Sequence, residues 1–394
     1  MRVTQGMEQT QFLTALNGLE SNLAQTQNEV STGLAFTTPA EDPAAAGTVD
    51  NLNQVLAQSQ QYTANANSAQ TSLNTEDNAL TQLEDQLQSL HSLALEANSG
   101  TQSSQDLSAI ATQVSQIQNS LLSIANTQDG NGQYIFAGYA TQSQPYSLTA
   151  TGASYAGDDG QQKAQIAAGQ TIAVGDNGNT VFNSPTGNGT YTVTANAANT
   201  GSGLIGATTV SNAAAYNGGS YTISFTSPNA YTINTLPPTT GTYTSGQAIA
   251  FDGLQISLSG QPATGDSFDV APSTNQSIFT TVQNLVNALQ PPTGTPGSPT
   301  QLSNSLADAI NNINEALNQT STVQASVGGR LNTITTQLSV ATSQQTQLQT
   351  SISSLQSVDY ATAVTTLDSE NTQLSAAMQA FTLTQGLSLF KYIS

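Results

Sequence analysis

The chain of 394 residues has no cysteine and a single histidine, His91. Without thiols it forms no disulfide and no thiolate metal site. With one imidazole, neither a Ser-His-Asp triad nor a histidine metal cluster can be built unless other residues substitute. His91 lies between Leu90 and Leu93 on a helical pattern, as a surface or seam residue would. Basic residues are almost as scarce: Arg2, Lys163, Arg330 and Lys391 stand against 24 acidic ones, for a net charge of −20. Nucleic-acid binding needs clustered Lys and Arg, and so does attachment to anionic lipid. Both are argued against, and no nucleic-acid partner or membrane insertion is expected. No run of about 18 apolar residues exists to span a bilayer. The first thirty residues lack the basic region and continuous apolar stretch of a cleavable signal peptide, so any export is expected to use another route.

Charged residues make up 7% of the chain, against roughly 25% in an average protein. Solubility therefore falls to Ser, Thr, Asn and Gln. Such a composition can mean disorder, but the hydrophobic residues are strongly periodic. Phe12, Leu16, Leu19, Leu23, Thr26 and Val30 alternate spacings of four and three, an a/d seam. The stretch "STGLAFTTPAEDPAAAG" (31–47) interrupts it, and two prolines four residues apart make a continuous helix untenable there. Asp42 then reads as an N-cap with Pro43 at the first helical position.

From there to about Asn98, Leu73, Leu80, Leu83, Leu87, Leu90 and Ala94 mark one face. A helix of about 54 residues would be roughly 80 Å long. After a turn at "NSGTQSSQD" (98–106), Leu107, Ile110, Val114, Ile117, Leu121 and Ile124 predict another helix, ending at "DGNG" (129–132). Helical spacing returns at Ile278, Val282, Leu285 and Leu289. It resumes after the proline-rich loop 290–300 and runs from Leu302 to Leu355. The next a/d position would be Asp359. Instead the pattern restarts one residue late at Tyr360, followed by Val364, Leu367, Asn371, Leu374, Met378 and Phe381. Such a register jump marks a bend or a change of partner.

Between about 132 and 275 the chain turns to Gly, Thr, Tyr and β-branched residues. "GTYTVTA" (189–195), "GSYTISF" (219–225), "AYTINT" (230–235) and "DSFDVAP" (266–272) look alike, each with an aromatic residue and a β-branched one two positions later. They read as half-buried strands separated by Gly/Asn turns. Their irregular spacing argues against a solenoid.

No constellation supports catalysis, and no cofactor or metal is expected. Glu76, Asp77, Glu84, Asp85 and Glu96 on one long helix read as a solvated face. "GDDGQQ" (157–162) reads as a turn rather than a cation site. "DGNGQY" starts like a calcium loop, but its twelfth position is Ala140 where a glutamate is needed. The plan is mainly α with a β-rich insertion: an elongated rod of long coiled-coil helices formed by both chain ends, carrying an outer β domain. The expected division is 1–44 plus 356–394 as a terminal coiled coil, 45–174 plus 276–355 as a long-helix bundle with a β segment, and 175–275 as the outer β domain. Pro39, Asp42 and Pro43 would form the interdomain loop. Apolar residues continue nearly to the last position, through Leu387, Leu389, Phe390 and Ile393, beyond what one helix pair can cover. Left exposed they would be adhesive.

Several segments resemble the flagellin and hook-associated protein superfamily of bacterial flagella. "STGLAFTTPAEDPAAAG" is similar to that family's segment after the first helix, departing from it at Leu34 and Glu41. "GQYIFAGYATQSQPY" (132–146) with 155–174 resembles its β segment, and "VGGRLNTI" (327–334) the start of its C-terminal long helix. "LSLFKYI" (387–393) is closer to the hook–filament junction branch than to flagellin, although Lys391 replaces a usually acidic residue. The resemblance covers about 1–174 and 300–394; residues 175–299 are expected to carry little family information. It implies a structural adaptor in the extracellular flagellum, exported unfolded through the flagellar type III apparatus. Subunits would form a ring between hook-associated protein 1 and flagellin, and an export chaperone would cover the C-terminal helix in the cytoplasm. The assembly and interhelix seam would be Phe12, Leu16, Leu19, Leu23, Val30, Val364, Leu367, Leu374, Met378 and Phe381, continued by Leu387, Leu389, Phe390 and Ile393. A minor filament subunit, or a secreted adhesin displaying 175–275, is the alternative reading.

Overall fold

The computed structural model describes residues 5–291 and 298–393, with side chains for 7, 9–291 and 298–383. Three helices lead: α1 (Gln5–Thr32), α2 (Pro43–Ala97) and α3 (Ser104–Ala125). Two hairpins follow, β1 (Tyr146–Thr149) with β2 (Gly152–Tyr155) and β3 (Lys163–Ala167) with β4 (Gln170–Ala173). The short α4 (Gly178–Phe182) and strand β5 (Asn183–Pro185) lead into eight strands: β6 (Tyr191–Ala195), β7 (Leu204–Val210), β8 (Tyr221–Ser227), β9 (Ala230–Ile233), β10 (Thr239–Thr242), β11 (Ala248–Phe251), β12 (Leu254–Ser259) and β13 (Ser267–Pro272). Strand β14 (Asn275–Ser277) pairs back with β5, and α5 (Ile278–Leu289), α6 (Pro299–Gln356) and α7 (Tyr360–Ile393) complete the chain. No described helix is long and apolar enough to cross a membrane.

The chain divides into two compact units, 1–64 with 338–394, and 65–337. In the first, α1 and α7 run antiparallel. Phe12 stacks on Phe381 with ring centroids 5.0 Å apart, and at the other end Leu34 pairs with Ser357. Both helix breaks are closed by backbone bonds: Ala35 N–H donates to Gln356 O (2.7 Å) and Val358 N–H to Gly33 O (3.0 Å). Gly33 ends α1 at φ +74°, and a Cβ there would lie 2.8 Å from the Tyr360 hydroxyl. Only glycine fits both the left-handed turn and that approach. Asp42 caps α2, its Oδ1 accepting from Ala44 N–H and Ala45 N–H, with Pro43 at the first helical position. Phe36 folds back onto Ala46 and Val49 as a small buried core, with Ile352 packed beside it.

In the second unit Leu73, Leu80, Leu83, Leu87 and Leu90 of α2 are buried, with Val114 and Leu121 of α3, Val282 and Leu285 of α5, and Ile313 and Val327 of α6. Ser103 and Asp106 form a reciprocal capping box at the start of α3. Phe136, Tyr146, Phe182 and Phe279 make an aromatic cluster at centroid separations of 5.2–5.9 Å. The eight strands form a five-stranded antiparallel sheet ordered β10-β9-β8-β13-β6 and a three-stranded one ordered β11-β12-β7, which share one core. The four look-alike segments are β6, β8, β9 and β13, adjacent in the larger sheet. Their common aromatic and β-branched pattern repeats because each turns the same kind of face toward that core. Tyr191 on β6 reaches across to the smaller sheet, donating to Thr209 O and Gln255 O at 3.1 Å each.

Candidate functional site

The terminal helix pair is where the candidate residues converge. On α1, Phe12, Leu16, Leu19, Leu23 and Val30 are half-buried, and Thr26 between the last two is buried. On α7, Leu367, Leu374 and Phe381 are half-buried in the same manner. Val364 and Met378 are not: each keeps 51% of its surface exposed. The face turned inward at those levels carries Ala363, Glu370 and Ala377. In a four-three alternation two neighbouring positions flank each layer of the seam. Alanine there lets the helices approach, which leaves Val364 and Met378 on the outer side, off the interhelix contact. Glu370 Oε2 is enclosed with no hydrogen-bond partner. Leu387, Leu389, Phe390 and Ile393 lie outside the residues whose side chains are described.

Among the described residues, thirteen large hydrophobic side chains are exposed, and nine of them lie in 1–64 and 338–394: Met7, Leu13, Val55, Val340, Leu355, Tyr360, Val364, Met378 and Leu383. That unit holds less than a third of the chain. In the same unit an uncharged polar contact joins α6 to α2: Gln345 Nε2 donates to Ser59 Oγ (3.2 Å) and Thr63 Oγ1 (2.9 Å). Pro39 and Asp42 in the loop between α1 and α2 are exposed, as is Pro43, which opens α2 rather than belonging to the loop. Glu41 accepts from the Thr37 and Thr38 amides, which hold its carboxyl below the usual carboxylate range. The Glu41 side chain thus reaches back to order the loop.

Two features of the second unit escaped sequence reasoning. Glu76 is not on a solvated face but 1% exposed, accepting from Asp176 N–H at 3.0 Å. Asp176 is ion-paired with Arg330, the one ion pair among the described residues. Burial and the Asp176 charge push the Glu76 carboxyl up to about 8. By contrast, Asp158 behaves as turn chemistry, its Oδ1 accepting from Tyr139 N–H and Gly160 N–H. Asp129 does the same for Asn131 N–H and Gln133 N–H.

The chain is similar to several known proteins. Flagellar hook-associated protein 3 of Salmonella typhimurium is 31% identical over 188 residues, 48% of this chain and 59% of that protein's length. The crystal structure of FlgL from Xanthomonas campestris is 32% identical, with a TM-score of 0.71, covering 77% of this chain and 99% of that one. The chain belongs to the FlgL, or flagellar hook-associated protein 3, family. A second FlgL-type structure, hook-associated protein 3 of Legionella pneumophila, is 28% identical with a TM-score of 0.73, covering 78% of this chain and 98% of that one. The bacterial flagellin N-terminal helical region matches residues 3–141 and its C-terminal helical region residues 310–393. Residues 183–272 match the D2-like domain of flagellar hook-associated protein 1. This corrects the expectation that 175–299 carries little family information.

Proposed function

We propose that this FlgL-family protein is a non-enzymatic adaptor that joins the flagellar hook, through hook-associated protein 1, to the flagellin filament. Subunits form a ring through their terminal helices, with the outer sandwich on 175–275 and the long-helix region on 45–174 and 276–355 as separate domains. The observation that carries this reading is the concentration of exposed apolar side chains on the terminal unit. Scattered exposed hydrophobes need no explanation, but a set crowded onto one unit, six of the nine on α1 and α7, marks a contact surface. Val364, Met378 and Leu383 are assigned to contacts between subunits, and Phe12, Leu16, Leu19, Leu23, Val30, Leu367, Leu374 and Phe381 to the contact within one. Leu387, Leu389, Phe390 and Ile393 extend the surface that neighbours, or an export chaperone, cover. Each contact fully buried on assembly contributes about 1.5–3 kcal/mol.

The test replaces Val364, Met378 and Leu383 with glutamate in the parent bacterium. Export and a folded centre are expected to persist, while filaments fail to attach and flagellin is shed into the medium. Normal filaments in that strain would refute the assignment.

A further inference from the structure

Glu76 lies in α2 with its two oxygens in different situations. Oε1 accepts the Asp176 amide, while Oε2 is enclosed with no hydrogen-bond partner. It borders a cavity of about 60 Å³ lined also by Ser72, Asp129, Tyr134 and Gly175. Asp176, in the connection between β4 and α4, is fully engaged. Its Oδ2 pairs with Arg330 of α6, its Oδ1 accepts from Gln161 Nε2 at 2.7 Å, and Arg330 also donates to Ala173 O. The charged groups facing Glu76 are therefore Asp176 from the connection and Arg330 from α6. Asp129 and Tyr134 stand across the cavity.

Two enclosed carboxylates against one guanidinium leave an unbalanced negative charge, and such a charge is costly away from water. One proton removes the imbalance. Each Asp176 oxygen has a partner, Oδ1 in Gln161 and Oδ2 in Arg330, whereas Glu76 Oε2 has none, so the proton belongs on Glu76. We infer that Glu76 holds a proton at neutral pH, and that this proton closes a clasp fastening residues 174–177 to α2 and α6. Burial acts in the same direction on the Glu76 carboxyl, as does the neighbouring Asp176 charge.

The clasp has a mechanical consequence. The β3–β4 hairpin is held to α2 at its other end by Asn65 Nδ2 donating to Gln165 O (2.9 Å). Deprotonation places two like charges at the 174–177 end and releases it, while the Asn65 bond has no charge to lose. Ile166 and Ile172, both buried, keep the hairpin itself seated, so the loosening in alkali is confined to the 174–177 connection. The adjoining Gly178 N–H, which donates to Phe136 O at 2.8 Å, links the clasp to the aromatic cluster.

The test has two readouts. In the unaltered protein, carbon-13 labelling at the glutamate carboxyl follows Glu76 by NMR. A titration midpoint above 7 is expected, and one below 7 overturns the inference. Amide exchange over 174–178, corrected for the intrinsic pH dependence, is then compared in wild type and Glu76→Gln. Glutamine keeps the Oε1 acceptor and cannot titrate. Protection in wild type is expected to fall at least fivefold between pH 6.5 and 9.5, and to stay flat in the variant. A smaller fall in wild type, or an equal fall in both proteins, refutes the clasp. Should Glu76→Gln fail to fold, the wild-type fall in protection over 174–178 must share its midpoint with the Glu76 carboxyl titration, and separate midpoints refute the clasp.

Discussion

Phe12 and Phe381 stack near the open end of the α1–α7 pair, with ring planes 12° apart. Both rings are half-buried. Full burial of a phenylalanine contributes about 1.5–3 kcal/mol, so half-burial contributes about 1. A favourable aromatic pair adds about 0.5–1.5 kcal/mol beyond its area. Phe381→Ala should therefore cost about 2 kcal/mol of local pairing, and Phe12→Ala about the same. The double variant loses the stack only once, so the coupling energy should be about 1 kcal/mol. Amide exchange read over 10–26 and 363–381 measures this directly. A cost of 2 kcal/mol corresponds to a fall in protection of roughly thirtyfold. If either single variant changes protection by less than twofold, or the cycle gives a coupling under about 0.3 kcal/mol, the helices are not held together by this pair and the interhelix assignment of Phe12 and Phe381 is wrong.

Tyr191→Phe removes the hydroxyl that bridges β6 to the backbone of β7 and β12. It should lower the stability of the sandwich by about 1–2 kcal/mol, read as a shift in urea midpoint at unchanged slope. No alkaline transition from Tyr191 should appear near the usual tyrosine range, because burial pushes its phenol up to about 12. Asp308 of α6 is raised to about 7 by burial. A carboxyl raised in this way favours the folded state fully below its unfolded value, and that advantage is lost as pH rises through about 7. Asp308→Asn should therefore raise stability at pH 8, by an amount on the order of 2 kcal/mol, and change it little at pH 4. Equal effects at both pH values, measured by chemical denaturation, would show that Asp308 is solvated.

How much could be read in advance depended on whether a feature is periodic or tertiary. The a/d spacing of Leu73 to Leu90 specified the buried face of α2, and Asp42-Pro43 specified where that helix begins, because both signals are local. The one-residue jump before Tyr360 marked a true helix break, closed by Gly33 and Val358 across the chain. Strand existence was legible from the repeated aromatic and β-branched pattern. Strand order was not, since the β13 pairing with both β6 and β8 joins residues far apart in sequence. Glu76 was misread because nothing in α2 itself shows that Asp176 and Arg330 arrive beside it.

The seam on α7 shows the same limit at finer scale. Leu367, Leu374 and Phe381 occupy the layers that spacing assigned to them, whereas the intervening layers belong to Ala363, Glu370 and Ala377 rather than Val364, Asn371 and Met378. Reading by hydrophobicity picks the larger side chain, but at the two outer layers, Ala363 and Ala377, the inward residue is small, and the middle layer is filled by Glu370. The larger residues are then left on the outer side. Their exposure is costly for an isolated subunit, at about 25 cal/mol per Å² of apolar surface, and nothing within the helix pair recovers it. A helix that turns alanine inward and keeps valine and methionine outward is suited to two contacts at once, one with α1 and one with a neighbour. Under the proposed function, the outward positions Val364 and Met378 are the ones that separate pairing within a subunit from assembly between subunits. Charged substitutions at Val364 and Met378 should block the second while sparing the first.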